Sequence, residues 1–277
     1  MKISTYYFSG TGNTAWVVRR LAERLTDLGN EVTATSCEQT AASAVDLTAC
    51  DVIGIAFPIH SSLVPPIFRD FLQGLPPGAG KPLFAVTTAG YWAGDMAWYA
   101  VKPLKAKGYE PFLLGNVVVA NNLHLPLLSP LPVTSPEKMP RKLEKASRKV
   151  NKLADLIHQR KPHVEGIDPF GRLLGIVQRC VAERFESLAF KGFFADGGCT
   201  QCGWCVRHCP VHNIEMADGG VKFLGNCILC MRCYSFCPAQ AIQATEKTKN
   251  VKKYRRYRGP EGRPYTTTDW EISGKKR

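Results

Sequence analysis

The sequence predicts an α/β fold: a doubly wound parallel sheet, followed by a small cysteine-rich domain. Three observations carry this. Strand-like and helix-like segments alternate through residues 2–161, the pattern of parallel βαβ units. A hydroxyl- and glycine-rich run, Ser9-Gly10-Thr11-Gly12-Asn13-Thr14, joins the first strand to the first helix, where such sheets hold a ligand phosphate. Eight of the 11 cysteines fall between Cys199 and Cys237.

Residues 2–8, KISTYYF, are β-branched and aromatic and read as the first strand. TAWVVRRLAERLTDLG follows with apolar residues at helical spacing, and Gly29 stops it. EVTATS is a short second strand. DVIGIAF (51–57) is almost continuously apolar, as a strand covered on both faces must be. PPIFRDFLQGL (65–75) is a helix opened by proline, and KPLFAVTTAG (81–90) is the fourth strand. A helix spans about Asp95 to Lys107, with Pro103 favouring a kink or an early end. PFLLGNVVVAN (111–121) is the fifth strand, and 136–161 is a basic amphipathic helix.

Right-handed crossovers bring the carboxyl ends of the strands to one edge. The loops SGTGNT, PIHSSL, TTAGYW and ANNLHLPLL share that edge, where open α/β sheets bind ligands. LPLLSPLPVTSP (125–136) holds four prolines and cannot be regular. It is a surface loop or a lid over the site. A second helical segment covers about 170–190. The expected divisions are 1–162 for the sheet domain, 163–190 for a helical connector, 191–246 for the cysteine-rich domain and 247–277 for a basic C-terminal tail.

The 277 residues, 45% hydrophobic and 21% charged, suit a globular protein with one or two domains. No run of about 18 apolar residues and no secretory leader is present, so a cytoplasmic protein without a transmembrane segment is expected. Clustered cysteines in a reducing compartment point to metal rather than disulfides. Cys37, Cys50 and Cys180 stand apart and read as small buried hydrophobes.

CTQCGWCVRHCPVHNI (199–214) and CILCMRCYSFCPAQAI (227–242) are an internal repeat of C-x2-C-x2-C-x3-C-P. This is the bacterial iron–sulfur run, whose fourth cysteine ligates the other cluster. The assignment is therefore crossed: Cys199, Cys202, Cys205 and Cys237 for one 4Fe–4S cluster, and Cys227, Cys230, Cys233 and Cys209 for the other. Zinc, the alternative for CxxC pairs, has no use for a third cysteine followed by Cys-Pro. His208, inside the motif, is not needed as a ligand.

The 9–14 loop lacks the lysine of a Walker loop and the spacing of a dinucleotide turn. Two clusters carry single electrons, and a flavin joins one-electron to two-electron chemistry. With its S-x-T-G-x-T loop and alternating strands, the N-terminal half resembles a flavodoxin. The resemblance implies sheet order 2-1-3-4-5 and FMN. The phosphate would be held by the hydroxyls of Ser9, Thr11 and Thr14 and by backbone N–H groups, with Gly10, Gly12 and Asn13 completing the loop. It also implies a flavin ring between Pro58-Ile59-His60-Ser61-Ser62 and Thr88-Ala89-Gly90-Tyr91-Trp92-Ala93-Gly94. Tyr91 and Trp92 are the candidates to stack on it, or are ordinary packing residues. The whole chain resembles flavodoxin–ferredoxin fusions, the EFR-family ferrodoxins, which implies an α+β ferredoxin-like C-terminal domain with two clusters.

Residues 247–277 are rich in Lys and Arg with interleaved tyrosines. The formal charge of +13 falls to about +7 once two clusters and a flavin phosphate are counted. A solvated tail, or a surface that steers an acidic redox partner or meets an anionic membrane, is expected over nucleic-acid binding. These features predict an electron-transfer flavo-iron–sulfur protein with no catalytic side chain of its own. The alternatives are a reductase of a small molecule bound over the flavin, and a cluster-based redox sensor acting through the tail. No dedicated NAD(P)H fingerprint is present. Because the helix after the fifth strand runs away from the flavin edge, the connector must bring the clusters back. Otherwise a homodimer must present the clusters of one chain to the flavin of the other.

Overall fold

The structure, a computed structural model, describes residues 1–60, 63–126, 131–167, 192–268 and 272–273, with residues 169, 172, 173, 175–177 and 179. Ser61, Ser62 and Cys180, residues 127–130 and most of the 163–190 connector lie outside the described residues.

β1 (Lys2–Tyr7), β2 (Glu31–Ser36), β3 (Val52–Pro58), β4 (Pro82–Ala89) and β5 (Glu110–Val118) pair in parallel in the order β2-β1-β3-β4-β5. Two strands that the sequence does not announce widen the sheet to seven. β6 (His163–Val164) runs parallel to β5, and β11 (Ile272–Ser273) runs antiparallel to β2. Helix α1 (Asn13–Asp27) and α4 (Met139–His158) bury Trp16, Leu21, Val150 and Leu153 on one face of the sheet. α2 (Pro66–Gly74) and α3 (Met96–Ala106) bury Phe68, Phe71, Met96 and Val101 on the other. Sandwiched between, Val52–Phe57 of β3 are all buried, which is why that stretch is continuously apolar.

α4 begins later than its amphipathic pattern suggests. Pro136–Lys138 forms a 3-10 turn first, and Pro140 then takes a position in the first turn, where a missing N–H costs nothing. Pro103 stays within α3, near its end, rather than closing it early.

The cysteine-rich part has its own small core. Phe193, Ile214, Tyr234 and Ile242 pack with Cys205 and Cys237. Around it stand the antiparallel pairs β8 (Ile214–Ala217) with β9 (Gly220–Phe223) and β7 (Phe194–Ala195) with β10 (Ile242–Gln243), plus the one-turn helices Trp204–Arg207 and Arg232–Phe236. Leu125, from the proline-rich segment after β5, is buried in this core. The described part of that segment therefore leans onto the cysteine-rich part. Asn121 fastens its other end, donating from Nδ2 to the carbonyls of Leu123 and Pro132, both at 2.9 Å.

The basic C-terminal stretch is not a solvated tail where it is described. Tyr257 and Tyr265 are 2% and 0% exposed and belong to the main core. Arg19 of α1 pairs with Glu261. The tyrosines interleaved with basic residues, the feature that suggested nucleic acid, are packing residues. Burial of the two phenol rings outweighs the solvation of the charges near them in sequence, which stay exposed at Lys252, Lys253, Arg255 and Arg258.

Candidate functional site

A small cavity opens at the carboxyl edge of the sheet. Ser9, Gly10, Thr11, Asn13 and Thr14 line it from the first loop, Pro58, Ile59 and His60 from the loop after β3, and Thr88, Ala89 and Gly90 from β4 and its loop. The topology thus brings three sequence-predicted segments to one place. Ala120 and Asn122, beyond β5, complete the lining and were not singled out from the sequence, although their loop was placed on this edge.

The loop is arranged around its hydroxyls. Ser9 Oγ accepts the N–H groups of Gly12 and Ala15, each at 3.2 Å, and so shapes the turn into α1. Thr11 Oγ1 accepts from Asn122 Nδ2 at 2.7 Å, which leaves its own proton to donate. Thr14 Oγ1 lies 2.8 Å from Thr88 Oγ1, linking the loop to β4. Asn13 faces away from the others: it donates to the carbonyl of Ala120 at 3.0 Å and accepts from the Tyr257 hydroxyl at 2.5 Å. Among the described residues, the N–H groups of Gly10, Thr11, Asn13 and Thr14 meet no acceptor. Among the described residues, no acidic or permanently charged side chain lines the cavity. Free N–H groups at a helix start, joined by hydroxyls, suit a phosphate dianion.

Two ring-stacking candidates stand outside this lining. Tyr91 and Trp92 are 51% and 44% exposed. The Lys142 ammonium sits 5.4 Å from the Tyr91 ring centre, and the Trp92 ring covers Gly94. Ala93 is buried.

The cysteine repeat also has a repeated backbone. Gln201, Gly203 and His212 take positive φ in the first copy, and Leu229, Met231 and Gln240 take it at the equivalent positions of the second. Five of these six are not glycine, so the chain holds a costly conformation at matched points. Such turns point successive N–H groups inward. The N–H groups of Asn213, Leu229 and Ala241 donate to the sulfurs of Cys209, Cys227 and Cys237, at 3.2, 3.4 and 3.3 Å. Cys205 is influenced by Cys237 and Cys199, and Cys227, Cys230 and Cys233 by Cys209, with Cys205 also acting on Cys233. Burial, reinforced by neighbouring thiols, pushes Cys205 and Cys227 up to about 11, and burial pushes Cys230 up to about 12. Bonding to iron would hold them as thiolates. Among the described residues, no three His, Cys, Asp or Glu side chains gather as a single-ion site. A cube makes a different demand, since each thiolate meets its own iron corner.

Residues 5–117 match the Flavodoxin domain family, and residues 198–242 match the 4Fe-4S dicluster domain family. The chain is a flavodoxin–ferredoxin fusion. Its flavodoxin domain implies FMN and its dicluster domain implies 4Fe–4S chemistry, so the fusion is an electron-transfer flavo-iron–sulfur protein. Solved structures similar to it include a short-chain flavodoxin associated with a non-canonical PDU bacterial microcompartment, at 18% identity over 58% of this chain and 99% of that one, TM-score 0.42. Flavodoxin 2 from Bacillus cereus is 19% identical over 58% and 99%, TM-score 0.41. The two-electron reduced flavodoxin of Megasphaera elsdenii is 20% identical over 54% and 98%, TM-score 0.38. Comparison with curated proteins gave no match. No described helix is long and apolar enough to cross a membrane.

Within the fusion, the cysteine-rich part is docked on the loop of its own chain. A Cβ added to Gly10 would stand 2.4 Å from the Cys230 carbonyl oxygen, so the second cysteine loop lies directly on the phosphate-type loop. On the other side of the turn, Gly12 takes φ +96° under Pro260 and Tyr265. Both glycines are needed for these close approaches, beyond any need of a ligand. Arg232, between Cys230 and Cys233, is 3% exposed and fastens the contact. Its guanidinium donates to the carbonyls of Gly10, Ser9 and His208 at 3.1, 2.9 and 2.9 Å, and to both carboxylate oxygens of Glu38 at 2.8 Å. The cysteine-rich part thus returns to the carboxyl edge of the sheet within one chain, and the geometric reason for a homodimer falls away. Neither Arg232 nor Glu38 stands out in the sequence.

His60 has a consequence for pH. Desolvation beside the cavity lowers its pKa from 6.5 to about 4. The folded state favours the neutral ring, so stability is complete above 6.5 and declines as pH falls through the window from 6.5 to 4. Replacing His60 with Asn is expected to flatten the thermal-melting profile across that window, and an unchanged profile would contradict the assignment.

Proposed function

We propose that the fusion relays electrons between two 4Fe–4S clusters, FMN and an outside redox protein, with the second cluster next to the flavin. The observation that supports this reading is the seating of Cys230 on Gly10. Cys199, Cys202, Cys205 and Cys237 would hold the first cluster, and Cys227, Cys230, Cys233 and Cys209 the second. Cys202 of the first set is exposed and offers an edge to a partner, while Cys230 of the second set is buried and rests on the flavodoxin loop. The 9–14 loop would grip the phosphate through N–H groups and hydroxyls. Pro58, Ile59, His60 and Ser61, with Thr88, Ala89, Gly90, Tyr91, Trp92 and Gly94, would border the ring. Bound there, FMN exchanges electrons singly or in pairs. Exposed basic residues at 252–258 favour an acidic partner.

The test is anaerobic protein assayed for iron, sulfide and FMN, then reduced rapidly through its clusters while flavin absorbance is followed. About eight irons per chain and a flavin-reduction rate independent of protein concentration are expected. A rate that rises in proportion to protein concentration would show transfer between chains and overturn the intrachain arrangement.

The loop's role is checked separately. Thr11→Ala is expected to weaken FMN binding by about 1.5–3 kcal/mol, the worth of one donor to a charged acceptor, and to leave riboflavin binding nearly unchanged. Equal losses for both ligands would mean that Thr11 does not meet the phosphate.

A further inference from the structure

We infer that Arg232 is a positioning residue through which assembly of the second cluster and binding of the FMN phosphate promote each other. The inference rests on the relay reading above and adds a thermodynamic coupling to it.

A trans peptide points its C=O and the following N–H in opposite directions. Arg232 holds two successive carbonyls, those of Ser9 and Gly10. The N–H groups of the same two peptides belong to Gly10 and Thr11. Both are therefore turned away from the guanidinium, and both residues line the cavity. Neither N–H meets an acceptor among the described residues. Arg232 thus sets the direction of two donors without touching the cavity itself.

Arg232 is held in turn by the cysteine-rich part. It sits between two ligands assigned to the second cluster, Cys230 and Cys233, and also donates to the carbonyl of His208, next to the third ligand Cys209. Its five N–H donors are all engaged, two of them by Glu38. Rotating the guanidinium would break several bonds in a buried place, so its orientation follows the loop that carries it. A formed cluster fixes that loop at its three sulfurs. The same cluster therefore fixes the N–H groups that meet the phosphate. By linkage, a bound phosphate must stabilise the cluster by the same factor.

The test uses wild-type protein first. FMN and riboflavin affinities are measured by fluorescence quenching, with the clusters assembled and after their removal by chelator. The proposal expects FMN affinity to fall on the order of 5–150-fold on cluster removal, the usual range of such couplings, while riboflavin affinity changes little. Loss of cluster absorbance to the chelator should also slow when saturating FMN is present, and not with riboflavin. Arg232→Lys, which keeps the charge but has three donors in place of a planar fork of five, should bind FMN equally with and without clusters. If FMN affinity in wild-type protein is indifferent to the clusters, the coupling is refuted. If FMN does not bind in either state, the relay reading itself fails. An Arg232→Lys protein that keeps the wild-type difference would refute Arg232 as its carrier.

Discussion

Arg232→Met is expected to destabilise the protein by about 3–5 kcal/mol, the cost of removing one partner from a buried ion pair. Glu38 would keep its charge at a side-chain exposure of 11%, with both oxygens stripped of their donors. The carbonyls of Ser9, Gly10 and His208 would lose donors as well. In the intact pair desolvation opposes the charge on Arg232, but Glu38 more than compensates and holds its pKa above the usual arginine value. Denaturant unfolding of the cluster-loaded variant measures the loss. Arg232→Met combined with Glu38→Met should be more stable than Arg232→Met alone, because the stranded charge is gone and the methionines can pack. A single variant within about 0.5 kcal/mol of wild type would place Arg232 among ordinary surface arginines.

That pair marks the limit of what the sequence made legible. Glu38 and Arg232 stand 194 residues apart, and neither residue type nor spacing connects them. The five strands were readable because each is either apolar throughout or bounded by turn residues and alternates with helices, whereas their order came from the flavodoxin resemblance carried by the 9–14 loop. β6 and β11, two residues each, carry no period to detect. The ligand edge followed from topology, and Ser9, Thr11, Thr14, Pro58, His60 and Thr88 do line one cavity. Tyr91 and Trp92, the stacking candidates, are exposed in the loop after β4, a placement that residue type alone does not signal. The 247–277 stretch misled because its charge dominated its composition, while the two tyrosines that decide its packing weigh little in an average. The cysteine spacing was legible in full. The positive φ of Leu229 and Met231 was not, because those residue types rarely adopt it, and only their match with Gln201 and Gly203 shows a purpose.

Cys209→Ala should remove about four irons, and the cluster it removes should be the one belonging to the second copy of the repeat. Sequence position would put Cys209 with Cys199, Cys202 and Cys205. In the structure its thiol influences Cys227, Cys230 and Cys233, while Cys237 influences Cys205 and Cys205 also acts on Cys233. Four single variants separate these alternatives without any need to name the clusters in advance. Under the crossed assignment, Cys209→Ala and Cys227→Ala leave the same cluster behind, with the same reduced-state spectrum and potential. Cys237→Ala and Cys199→Ala leave the other. The two pairs should also differ in function. Because Cys230 rests on Gly10, losing the second cluster should abolish rapid flavin reduction. Losing the first should spare transfer from the second cluster to the flavin once that cluster is reduced, and should slow only its reduction by an outside donor. If Cys209→Ala instead pairs with Cys199→Ala in its spectrum, the ligands are not crossed, and the outward and inward roles of the two sets must be reassigned.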